Sequence, residues 1–322
     1  ESYREQMSYS RDLWLSIETL HAVTYFAPES VQAANDAGLK GFWMGYFGFR
    51  SAPLGAVSPG LVHATFANFT LAMIERSIPD AWTYATPEDL LDHRARSAAA
   101  ALRRLAPGQL ESLTVGVSPK LREIIAVADP LGRPLFSANA WLEERSDPVE
   151  QFWQLCTSFR EHRGDGHVLV LANEGISGCE AHILHAAQNE TPAAILRENR
   201  GFSEDQWSDA TERLRRRGLL GGSGLTASGW ELRSRVENQT DKLSARAIDS
   251  ALDEESRIVM LDQLAAVAQC VAASGALPYP NPMGLRQVTG AEPAPGKQQS
   301  SLSERSKPTS TKELTRYPKQ PQ

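Results

Sequence analysis

Apolar positions along this chain recur mostly at spacings of three and four, the period of a helix buried on one face. Over residues 11–25, Leu13, Ile17, Leu20, His21 and Thr24 share such a face, and Pro28 closes the pattern. A short second helix fits residues 28–37 and stops at Gly38. Over 41–50, helical winding places Trp43, Tyr46, Phe47 and Arg50 close together, interleaved with Gly41, Gly45 and Gly48. Each such glycine costs a helix about 1 kcal/mol relative to Ala. Something must therefore approach this backbone closely, either a packed helix or a ligand lying on an aromatic wall with Arg50 on its carboxylate or phosphate. Residues 61–78 predict one helix with His63, Phe66, Thr70 and Met73 on a face. Residues 87–105 predict an Ala-rich helix whose Arg94, Arg96, Arg103 and Arg104 mix with Glu88, Asp89 and Asp92, the composition of a solvated face. A helix over 119–128 and a turn-rich passage over 130–142 lead to Asp147 and Pro148, a helix-start signal and the expected domain boundary.

The second half opens with an amphipathic helix over 149–161 and carries its clearest pattern at 178–243. Ser203 and Gln206 form a capping box, Trp207, Ala210 and Leu214 make an apolar stripe, and Gly218 sits where a left-handed cap is wanted. Leu219 and Leu220 then enter a strand, the GGSG run from Gly221 turns the chain, and Thr226 caps a further helix with Trp230 and Leu232 on its buried side. After Leu243 a long helix pair runs to about residue 275. It either builds a homodimer or packs on the N-terminal half. Residues 277–285 are Pro-rich and read as an extended segment sealing a groove, and the tail beyond Thr289 has the composition of disorder.

Composition narrows the function classes. The 322 residues, 41% of them hydrophobic, are enough for two domains. A net charge of −6 offers no global basic field to nucleic acid or to an anionic membrane. Cys156, Cys179 and Cys270 are odd in number and lack metal-ligand spacing, which fits free thiols in a reducing cytoplasm. No signal peptide or membrane span is evident, and the chain begins at Glu1 rather than Met, which leaves the native start open. Nucleophile-elbow, Walker, dinucleotide and zinc-protease signatures are all missing; the sequence leaves any cofactor unidentified and leaves open a cofactor-free or small-molecule active site built from His63, Arg50, Arg133, His162 and His167.

Candidate chemistry collects at two places. The Trp43, Tyr46, Phe47 and Arg50 wall could face a pocket completed by His63, Asn68, Arg133 and Asn139. The run REHRGDGH from Arg160 concentrates His162, Asp165 and His167. It reads foremost as a tight connection between helices at Gly164 and Gly166, with Asp165 capping a helix from His167. A pocket or interface role, or a metal site, are the other readings. His182 and His185 share a helix face without a second cluster tied to them.

The 214–229 stretch, with Leu214, Arg217, Gly218, Leu219, Leu225, Thr226 and Gly229, resembles the winged helix of MarR-type regulators. Over most of its length the chain resembles the SalK-like helix-turn-helix proteins of actinobacteria. The likeness is carried by LHAVTYFAPE from Leu20, GLKGFWMGYFGFRSAPLG from Gly38, REHRGDGH, RRRGLL from Arg215 and LPYPNPMGL from Leu277. The resemblance implies a mainly α protein: an N-terminal helical, ligand-binding-like domain over 1–147, a winged helix-turn-helix domain with a small β-wing and C-terminal packing or dimerisation helices over 148–286, and a disordered tail over 287–322. It imports no catalytic residues. The expected function is a regulator coupling a small-molecule pocket to the helix-turn-helix, with Gln206, Arg213, Arg215, Arg216 and Arg217 as DNA contacts. Its alternative is a small-molecule enzyme or binding protein, of the kind found in secondary metabolism, whose winged helix no longer binds DNA. Glu204, Asp205 and Asp209 sit in the half of the recognition helix that would face bases, which disfavours DNA. Residues 151–245 carry 11 basic and 13 acidic side chains, where a DNA-binding module is normally basic.

Overall fold

Prolines and capping side chains decide where most of the helices begin. A computed structural model describes residues 2–188, 191–278, 281 and 283. In it α1 spans Ser2–His21, α2 Val23–Phe26, α3 Pro28–Asp36, α4 Gly41–Ser51, α5 Pro59–Phe66, α6 Leu71–Glu75, α7 Ala81–Tyr84 and α8 Pro87–Leu105. There follow α9 Leu110–Gly116, α10 Ser118–Val127, α11 Pro134–Ala140, α12 Pro148–Asn173, α13 Gly178–Ala186, α14 Ala193–Arg200 and α15 Glu204–Arg216. A two-stranded antiparallel hairpin, β1 Leu220–Gly221 and β2 Gly224–Leu225, precedes α16 Ala227–Ala251 and α17 Glu254–Ala273. The protein is mainly α. Capping boxes hold the starts of α8 (Thr86 with Asp89), α13 (Ser177 with Glu180) and α15 (Ser203 with Gln206), satisfying amide donors that a helix start leaves open. Gly218 takes φ +70 just after α15, a conformation open to glycine without a Cβ clash. Thr226 then accepts from the Gly229 amide and starts α16.

Three apolar clusters hold these elements. The largest joins Leu13, Ile17 and Leu20 of α1 to Leu102 of α8, Leu121 of α10, Phe152 and Trp153 of α12, Ile248 of α16, and Met260, Leu264 and Val267 of α17. Residues on both sides of position 147 therefore share one core. The second cluster gathers Phe47, Val62, Phe66, Phe69 and Ile74 around α4 to α6. The third packs α13 and α15 on the end of α12 and the start of α16, through Leu171, Ile183, Leu214 and Leu232. Of the two roles left open for the last helices, α17 packs on α1 within the chain. By length and composition alone α17 would also pass as a membrane span. Its Met260, Leu264, Val267 and Val271 are nonetheless core residues here.

Several expectations are corrected. The REHRGDGH run is no connector: α12 continues through it as a single 26-residue helix. Its two glycines weigh against helix by about 1 kcal/mol each, but Arg160, Glu161 and Arg163 find ion-pair partners on α1, α4 and α16, and tertiary pairing prevails. Asp165 caps a different helix, accepting the Phe136 amide at the start of α11. The passage over 130–142 contains that helix. The 61–78 helix is broken, because Ala67 adopts φ 51 and Thr70 caps α6 by accepting from Met73. Arg94 lies on no solvated face: it is buried and donates to the Phe49 carbonyl, Asn139 and Gln154. Trp230 is 50% exposed, while Leu232 is buried as expected. Gly45 and Gly48 are accounted for by helix packing, since a Cβ would meet Ala34 at 3.0 Å and Leu39 and Leu90 at 3.3 Å. The 287–322 tail lies outside the described residues.

The break at Ala67 sits against Gly178, where an added Cβ would fall 2.0 Å from the Ala67 carbonyl oxygen. Gly178→Ala should lower stability in a denaturant titration by about 1–3 kcal/mol, the usual range for overpacking. Gly222→Ala, at a position with nothing within 4 Å, should leave it nearly unchanged.

Candidate functional site: an arginine-rich cavity beside α13 and α14

The helix that departs from its expected course also supplies one wall of a cavity between the helices. This cavity holds about 550 Å³, a volume suited to a small molecule. It is bounded by α1 (Trp14, Glu18), α4 (Tyr46, Arg50), the end of α5 and the turn after it (Phe66, Asn68, Phe69), α12 (Arg160, Asp165, His167), α13 and α14 (His182, Arg200) and α16 (Arg233, Glu237). Met283 of the C-terminal segment also reaches it. Of the residues expected at a pocket, Tyr46, Arg50, Asn68 and His167 meet here. Trp43 and Phe47 stand behind them in the second apolar cluster. His63 is exposed on α5, and Arg133 and Asn139 are buried outside the lining. His162 is buried edge-on to Phe136 at 4.8 Å, and its Nδ1 has no hydrogen-bond partner among the described residues.

Burial makes the ionic pattern consequential. Arg50 meets Glu161 through Nε and Nη2, both at 3.2 Å, while Arg160 holds Glu18 at 2.9 Å and Glu161 at 2.9 Å. Burial alone would raise the Glu161 pKa, but the Arg160 and Arg50 charges outweigh it and hold the carboxyl down to about 2. Across the cavity Arg163 pairs with Asp241 at 2.8 Å and stacks over Trp14 at 4.2 Å. Among the described residues six arginines line the space, Arg11, Arg50, Arg160, Arg163, Arg200 and Arg233, against Glu18, Asp165 and Glu237. Sequence reasoning missed most of these. Arg11, Arg200, Arg233 and Glu237 belong to no motif in the sequence, and nothing in their spacing shows that they converge.

His182 and His185 turn to different partners, the Asn68 carbonyl and Thr191, each at 3.3 Å. His167 Nδ1 lies 3.1 Å from Thr240. No group of three or more His, Cys, Asp or Glu among the described residues comes together to hold a metal ion.

The model of the helix-turn-helix family matches residues 10–278. The chain belongs to this family. No curated protein and no solved structure matches it. Family membership directs attention to the basic side chains of α15, most of which have partners. Arg213 pairs with Glu180 at 3.0 Å, and Arg217 donates to the Gly175 and Glu174 carbonyls at the end of α12, where a cation suits the helix dipole. Gln206 is engaged in its capping box through Oε1. Arg215 and Arg216 remain exposed, Arg215 at 3.8 Å from Glu212. Glu204, Asp205 and Asp209 are exposed on the leading half of the helix.

The buried histidines govern the response to acid. Burial lowers His162, His167 and His182 from 6.5 to about 4, 4 and 3. Between about pH 6.5 and 4 the folded chain therefore binds fewer protons than the unfolded one, and these groups cost stability as pH falls through that window. Asp165, pushed from 3.8 up to about 7 by burial and then by Glu161, acts oppositely, favouring the fold at the acidic end. The denaturation midpoint is expected to drop between about pH 7 and 4.5, and Asp165→Asn, which removes the opposing group, should steepen that drop.

Proposed function

We propose that this helix-turn-helix protein is a regulator in which a small-molecule cavity is coupled to a DNA-facing unit formed by α13 to α15, with the β1–β2 hairpin as a short wing. The observation that carries this reading is the shared wall: His182, Leu196 and Arg200 of α13 and α14 line the same cavity as Tyr46 and Arg50. A ligand there touches helices of that unit directly. Two further links run through the backbone, where the Thr70 amide donates to the Arg200 carbonyl at 3.1 Å and the Thr70 hydroxyl to that of Gly201 at 3.3 Å.

A second reading, a small-molecule enzyme or binding protein that has given up DNA, draws support from one specific feature. The leading half of α15 exposes Glu204, Asp205 and Asp209, which would meet phosphate charge.

Fluorescence anisotropy of the full chain on its own upstream DNA, at two salt concentrations, separates the two. The regulator reading expects sequence-selective binding with a salt slope of roughly −1.8, at about 0.9 per phosphate for Arg215 and Arg216. A slope near roughly −3.6 would mean that Arg213 and Arg217 leave their partners on binding DNA. Absence of any sequence preference at low salt would retire the regulator reading in favour of the second.

A further inference from the structure

We infer that the cavity recognises a carboxylate, carried singly on a flat apolar body, and that this group docks on the Tyr46 hydroxyl between Arg50 and Arg200. The inference rests on reading the cavity as a ligand site and goes beyond it in naming the group recognised. Arg50 Nη1 donates to Tyr46 Oη at 3.0 Å, and Arg200, whose charge also acts on the Tyr46 phenol, lines the same cavity. A phenol oxygen can accept such bonds and still has one proton to donate. With the Arg50 guanidinium on its acceptor side, and no described residue taking its proton, the Tyr46 O–H is left to an acceptor in the cavity that it lines. A guanidinium behind the oxygen polarises that donor, and with Arg200 lining the same cavity it favours an anionic acceptor.

The row is built rather than incidental. Arg50 Cζ lies 4.1 Å from the Phe66 ring centre and Arg200 Cζ 4.4 Å from that of Phe69, so two rings from one turn back both guanidiniums. Between those rings Ala67 holds φ 51, uncommon for a residue with a Cβ, under the close approach of Gly178. Asn68, on the same turn, lines the cavity as a further polar side chain, and the Trp14, Phe66 and Phe69 rings offer apolar surface to the remainder of a ligand.

The charge count favours a monoanion. Six arginines line the cavity. Above about pH 7, where Asp165 is ionised, they face Glu18, Asp165 and Glu237 in the lining and Glu161 and Asp241 paired to those arginines, one carboxylate fewer than the arginines among the described residues. A carboxylate balances that excess, whereas a phosphate dianion overshoots it in a setting where uncompensated charge is costly.

Titrating the full chain at about pH 8.5, where Asp165 is ionised, with 2-naphthoate, neutral 2-naphthol and 2-naphthyl phosphate, read by probe and tryptophan fluorescence, tests this. Naphthoate should bind most tightly. Tyr46→Phe should weaken it roughly ten- to hundredfold, the range for a hydrogen bond to a charged group, while leaving naphthol unchanged. Tyr25→Phe, whose hydroxyl lies 3.0 Å from His21 Nε2, should leave naphthoate binding as it is. If Tyr46→Phe fails to fold, Arg200→Lys gives the same reading: it keeps the charge, loses the planar fork, and should weaken naphthoate at least tenfold. Equal naphthoate affinity in a folded Tyr46→Phe, or naphthol binding as well as naphthoate, would overturn the carboxylate inference and leave the cavity as a ligand site. Tighter binding of naphthyl phosphate would overturn it in favour of phosphate. No binding of any probe to the folded chain would sink both the inference and the ligand-site reading.

Discussion

The buried carboxylate of Glu161 is the interaction around which this fold is arranged. It sits in the middle of α12, takes Arg50 from α4 and its own neighbour Arg160, and through Arg160 is tied to Glu18 on α1. Three helices are thereby locked in register about one point. Ionic groups this deep contribute little over well-packed apolar ones, but removing a single partner strands the others at a cost of about 3–5 kcal/mol. The network therefore acts as a constraint on geometry more than as a source of net stability. It also explains why a helix with two interior glycines and a run of charged residues does not break.

The same constraint shapes the cavity. Because Glu161 fixes the Arg50 guanidinium, Tyr46 is fixed one turn earlier on α4, and the ring of Phe66 finds a flat cationic face to pack on. The turn carrying Phe66 and Phe69 then contacts both α13, at Gly178, and the end of α14, through Thr70. An event in the cavity and the placement of these helices thus act on one short piece of backbone. That piece already holds a residue in a sparsely populated conformation, the kind of strain found where a structure is over-determined.

Electrostatics at α15 follow structural needs first. Its acidic start complements the positive end of the helix dipole and Ser203 caps it, while Arg217 serves the opposite end of α12. Arg213 compensates Glu180, itself part of a capping box. Side chains that would be assigned to phosphates from sequence are in good part holding helix ends, which leaves a thin basic surface for any nucleic acid.

From sequence alone the local units were legible. The capping box at Ser203, the left-handed Gly218, the GGSG turn and the Thr226 cap are each decided by a few adjacent residues, and the structure has them where the pattern places them. The closeness of Tyr46 and Arg50 was also readable, since helical spacing alone brings them together. What crosses between helices was not. The continuity of α12, the break at Ala67, the burial of Arg94 and the convergence of Arg160, Arg163 and Arg200 each depend on partners far away in the chain. Local propensity is worth about 1 kcal/mol per residue; a buried charge finding or missing its partner is worth several times that. Where the two disagree, tertiary pairing decides.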